Sequence, residues 1–117
     1  MNGKFNSGGG DRVDEFHKAL LEAVDEALLQ LSESVRSSIY WYLESHCNLK
    51  RETVPFKLEE FMRGLRGIFG EGADIVLKWV AKKLYGKLGL TFEEKTDWNL
   101  IDYVNYAMAS MNQHHPP

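Results

Sequence analysis

Val13, Phe16, Leu20, Val24, Ala27 and Leu31 recur at steps of three and four residues. That spacing places them on one face of a helix, and no strand can put them on one side. Leu21 and Leu28 flank the stripe, so the face is broader than a coiled-coil seam and has to be covered by other parts of the fold. A plausible cap, Asp11, precedes it.

The same period continues down the chain. Ser32 or Ser34 would cap a second helix running to about His46, with Val35, Ile39, Tyr42, Leu43 and His46 on one side. Ile39 to Tyr42 is β-branched and aromatic, but the length and period of the segment favour helix. Pro55 forces Val54 towards extended geometry and ends any helix before it. A third helix from about Leu58 uses Phe61, Leu65, Ile68 and Phe69. A fourth from about Gly72 carries Ala73, Val76, Val80 and Leu84, with Gly89 as its left-handed stop. Asp97 would cap a last helix with Ile101, Val104, Ala107, Met108 and Met111. The expectation is an all-α single domain of about five helices over residues 11–112, with one short extended segment near residues 90–94. Residues 1–10 read as a flexible N-terminal segment and residues 113–117 as a tail.

The 117 residues, 44% of them hydrophobic and 26% charged, suffice for one ordinary globular core. One cysteine, Cys47, excludes an intramolecular disulfide and fits a reducing interior. The chain has no signal-like start and no run approaching a membrane span, so a cytoplasmic protein without membrane contact is expected. Charge is unevenly spread: residues 1–47 hold 4 basic and 8 acidic groups (net −4), residues 48–89 hold 9 and 5 (net +4), and residues 90–117 hold 1 and 4 (net −3). The basic middle suits nucleic acid, and equally suits acidic–basic packing between the two parts of a dimer.

"GIFGEGAD", residues 67–74, is the most distinctive stretch. A Rossmann fingerprint fails because Ile75 stands where a third glycine belongs and a helix precedes the motif; a Walker loop fails because Ala73 and Asp74 replace the lysine and hydroxyl. Glu71 and Asp74 would also repel a phosphate at the start of the next helix. The GxxG of KH domains would be Gly67 to Gly70, without the strands or the basic loop residue. "LRGIFGEGA" resembles a helix-hairpin-helix with one residue too many. The reading that remains is a structural corner at Gly70, Gly72 and Ala73, with Gly70 as a left-handed stop and Gly72 admitting a close helix approach.

Other chemistry is thin. His46 and Cys47 are adjacent and point about 100° apart on a helix. Asp14 and His17 have ligand spacing with nothing nearby to complete a site, and His114 and His115 fall in the expected tail. No catalytic residue, metal site or cofactor is expected. Lys78, Lys82, Lys83 and Lys87 on the fourth helix are candidate nucleic-acid contacts in a helix-turn-helix reading, where they would mainly serve phosphates. Three consecutive aromatics cannot all face one core, so Tyr40 or Trp41 should turn outwards. Together with Val13, Phe16 and Leu20 they form a candidate homodimer interface.

"VDEALLQLSESVRSSIYWYLE", the connector ending in "TVPFKLEEF", and "GIFGEGADIVLKWVAKKLYGKLGL" resemble, in that order, the small archaeal domains of unknown function grouped with Nitrosopumilus output domains. The resemblance spans roughly residues 23–106, most specifically at Gly70, Gly72 and Ala73. It implies an archaeal, mostly helical module in regulatory or signalling contexts, with no catalytic residues to carry over. The expected function is thus a non-enzymatic regulatory or output module acting through protein contacts as a homodimer. The alternative is a small DNA-binding protein using residues 48–89.

Overall fold

The computed structural model describes residues 9–113, with side chains described over residues 13–111. Five α-helices run in the order α1 (Gly9–Leu29), α2 (Glu33–Cys47), α3 (Leu58–Phe69), α4 (Ala73–Leu88) and α5 (Leu100–Gln113). Two 3₁₀ turns interrupt them, Arg51–Phe56 before α3 and Gly70–Gly72 before α4. The architecture is all-α, and no strand occurs among the described residues. Residues 90–94 are irregular coil, so the expected extended segment pairs with nothing.

The longest helix needs the most cover, and α4 supplies it: the α1–α4 contact is the most extensive in the molecule. Leu20, Val24 and Leu28 of α1 are fully buried, as are Val80 and Leu84 of α4. Each helix also buries alanines, Ala23 and Ala27 on one and Ala73 and Ala81 on the other, which leaves room for close axes. α2, α3 and α5 enclose the pair and add Leu43, Phe61, Leu65 and Ala107 to one continuous core.

Local chemistry fixes the ends. Ser32 caps α2, its Oγ accepting the Val35 N–H at 2.9 Å. Asn48 takes the left-handed conformation after α2, at φ 54°. α4 stops at Gly89, φ 72°, where the Leu90 N–H reaches back to the Tyr85 carbonyl at 2.9 Å in a Schellman arrangement. α1 begins at Gly9, so Asp11 lies inside its first turns and does not stand ahead of it. α5 starts later than expected: Asn99 is its cap, accepting the Asp102 N–H at 3.0 Å while Asp102 accepts the Asn99 N–H at 2.9 Å. That reciprocal capping box displaces the expected cap at Asp97, which sits in the preceding turn.

The glycine corner is real, but its glycines divide the work differently. Gly70 has φ 60° and ψ −132°, a conformation that L side chains avoid and that lies outside the left-handed helical well. Gly72 is ordinary right-handed backbone at φ −64°, and a Cβ there would meet only Phe69 Cβ at 3.8 Å. The close approach is at Gly64, where a Cβ would collide with buried Leu43 Cδ2 and touch Cys47 Sγ at 3.4 Å. Gly64 is what lets α3 cross α2. Gly64→Ala should destabilise by about 1–3 kcal/mol through overpacking, whereas Gly72→Ala should be neutral or stabilise by about 0.4–1 kcal/mol. Urea denaturation of both variants separates the two roles.

Candidate interaction surface

One buried-edge carboxylate sets the geometry of this surface. Asp25 of α1 accepts hydrogen bonds from the Tyr40 hydroxyl on α2 and from Arg51 Nε at 3.1 Å, with Arg51 Nη2 paired to its second oxygen. Arg36 Nη1 stands 3.6 Å away. Burial pushes the Asp25 carboxyl up, and Arg51, Tyr40 and Arg36 together outweigh it, holding the group below the ordinary carboxylate value. Burial, and then the Asp25 carboxylate itself, push the Tyr40 hydroxyl well up, so it stays protonated and donates.

With Tyr40 tied inward, its neighbour has to turn out. Trp41 is 65% exposed, the outward aromatic that three consecutive rings required. His46, one turn on, stacks on Tyr42 with centroids 4.6 Å apart and meets Trp41 edge-on at 5.8 Å. Beside these rings α2 and the end of α3 form an open groove of about 440 Å³, lined by Ser34, Val35, Ser38, Ile39, Trp41, Tyr42, Ile68 and Phe69. None of these residues is charged.

The candidate interface residues therefore separate. Phe16 and Leu20 are buried in the chain's own core, which corrects their assignment to a dimer face: α4 already covers that side of α1. Tyr40 is half-buried and committed to Asp25. Val13 and Trp41 are exposed, on α1 and α2 respectively. Of the positions whose periodicity points to the core, Ile39 is buried, Tyr42, Ile68 and Phe69 are half-buried and Val35 is exposed along the groove. Periodicity finds an apolar face but does not tell whether the fold covers it.

The lysines of α4 also separate. Lys78 pairs with Glu94, and Lys87 with Glu26 at 2.5 Å and Glu22 at 3.6 Å. Lys82 stands 5.9 Å from the Phe92 ring centroid, and Lys83 is half-buried. Arg51, Lys87 and Lys78 of the basic middle pair with Asp25, Glu26 and Glu94 of the first and last segments. Three of the nine basic residues of the middle segment thus find acidic partners elsewhere in the same chain. α4 turns Val76, Leu77, Val80, Ala81 and Leu84 to the core and fills the centre of the bundle, a poor position for a groove-reading helix.

At the corner, Ala73 is fully buried and Asp74 pairs with Arg66 of α3 at 3.1 Å, bracing the turn from α3 into α4. Among the described residues no three of His, Cys, Asp and Glu gather into a metal-binding group, and no helix is long and apolar enough to cross a membrane. His114 and His115 lie outside the described residues. Comparison with protein-family models, curated proteins and solved structures gives no match.

Because its folded-state pKa is lowered, Asp25 contributes stability above the ordinary value of 3.8, and that contribution fades as pH falls through the lowered value. Asp25→Asn should cost about 1.5–3 kcal/mol at pH 7, the usual scale for hydrogen bonds to a charged group. Chemical denaturation as a function of pH should show the gap to wild type narrowing below about pH 4.

Proposed function

We propose that the chain is a non-enzymatic regulatory or signal-output module that works in the cytoplasm as a homodimer through the α2–α3 groove. The observation that carries this reading is an uncharged groove with Trp41 standing 65% exposed at its edge. Large exposed aromatics beside apolar hollows are typical of interface centres. The occupant is a second copy. A two-fold contact sets the same patch against itself, so each subunit has to offer both a projection and a hollow, and like charges may not face each other. Trp41 is the projection, Val35, Ile68 and Phe69 wall the hollow, and the lining contains no charge to repel its own image.

The resemblance to archaeal output domains, which implies regulatory or signalling contexts, supports the regulatory part of the reading. The single cysteine suits a reducing interior. The DNA-binding alternative is weakened by the pairing of Lys78 and Lys87 with glutamates, which leaves Lys82 and Lys83 as the lysines of α4 without an acidic partner among the described residues.

Sedimentation equilibrium should find a dimer at micromolar concentration. Trp41→Ala should raise the dissociation constant by ~30-fold or more, the effect of losing an interface hot spot. Val35→Glu should give monomer with an unchanged helical spectrum. A wild-type chain that stays monomeric at high micromolar concentration overturns the reading. A salt-dependent shift of generic duplex, lost on charge reversal at Lys78, Lys82 and Lys83, would favour the alternative.

A further inference from the structure

Between α4 and α5 the chain gathers five aromatic rings into one contiguous set. Phe92 stacks on Tyr103 with centroids 5.1 Å apart, Tyr85 meets both edge-on, and Trp98 lies 5.2 Å from Tyr103 and 5.8 Å from Tyr106. Hydrogen bonds anchor its two central tyrosines. The Tyr85 hydroxyl donates to the Tyr103 carbonyl at 2.7 Å, and the Tyr103 hydroxyl accepts the Lys95 N–H at 2.8 Å, which fastens the connector to α5.

This ring set attracts cations from its own chain. Lys82 Nζ stands 5.9 Å from the Phe92 centroid and Lys95 Nζ 5.8 Å from the Trp98 centroid, both within cation–π range. Next to Trp98 opens a cavity of about 310 Å³, walled by Tyr85, Leu90, Trp98 and Tyr106, with Glu93 and Lys95 on its rim. That volume falls at the lower end of the range for small-molecule sites. The neighbouring cleft, which shares Lys95 and Trp98 with this cavity, is more polar: Arg66 and Asp74 pair within it, and its Lys78 pairs with Glu94 outside it.

We propose that the Trp98–Tyr106 cavity binds a trimethylammonium group, with Lys95 as an internal cation that the ligand displaces from the indole face. Aromatic walls favour a cation whose charge is spread over methyl groups, because such a cation loses little hydration on entry and keeps its attraction for the ring faces. A primary ammonium is more strongly hydrated and gains less there. Glu93 supplies the counter-charge. Its hold on Lys95 is loose, at 3.4 Å and largely exposed, so exchanging one cation for another costs little. Two sources share this chemistry, a free quaternary amine and a trimethylated lysine side chain.

The test is a choline titration of the full chain, following the three tryptophan indole N–H signals by NMR, with Trp98→Phe assigning one of them. The Trp98 signal should move saturably while the Trp41 signal stays in place. The neutral isostere 3,3-dimethyl-1-butanol should bind at least about tenfold more weakly, the weight of one cation–π contact in a partly enclosed site. Lys95→Gln should tighten choline binding by about threefold or more, and Glu93→Gln should weaken it. Equal binding of the alcohol and choline, no saturable movement at Trp98, or a Lys95→Gln variant that binds no better than wild type overturns the proposal. Parallel titration with acetylated and amidated trimethyllysine distinguishes the sources: binding tighter than choline identifies a modified side chain, and weaker binding a free amine.

Discussion

Everything in this molecule is arranged around the burial of one face of α1. A helix of 21 residues with a broad apolar stripe takes most of its stability from packing that stripe, and α4 is the element that covers it. Once α4 is committed to that role, its own buried positions, Val76, Val80 and Leu84, are no longer available to a partner. The same commitment takes Phe16 and Leu20 out of any dimer interface. Among the surfaces that the α1–α4 pair leaves uncovered are the α2–α3 groove and the aromatic connector between α4 and α5.

Asp25 converts that packing into a defined rotation of α2. Its carboxylate joins α1 to the Tyr40 hydroxyl and to Arg51 of the 3₁₀ turn, so three consecutive segments share one anion. Tyr40 cannot turn out without leaving that anion short of a donor, and so Trp41 and the groove beside it face solvent. The same logic organises the longer-range charges. Lys87 to Glu26 and Lys78 to Glu94 tie the basic middle of the chain to its acidic ends at two points.

Much of the helical layout was legible because local chemistry sets it. Ser32 and Gly89 act on backbone groups a few residues away, and their effects do not depend on the rest of the fold. The errors have local explanations too. Asp97 and Asn99 are both good caps, and only Asn99 has an acidic residue three positions on to complete the box. Gly72 looked like a close-packing glycine from its place beside a helix start, but such packing depends on what lies opposite. Leu43 lies opposite Gly64 and nothing comparable faces Gly72.

By itself the sequence determined the number of helices, their approximate bounds and the presence of a glycine corner, since helical period, caps and positive-φ glycine are short-range properties. Tertiary structure alone decided which apolar faces are covered, which charges are neutralised, and which aromatics remain outside. Those depend on the rotation of each helix about its own axis. That rotation is set by contacts such as Asp25 with Arg51 and Gly64 with Leu43, between residues far apart in the chain.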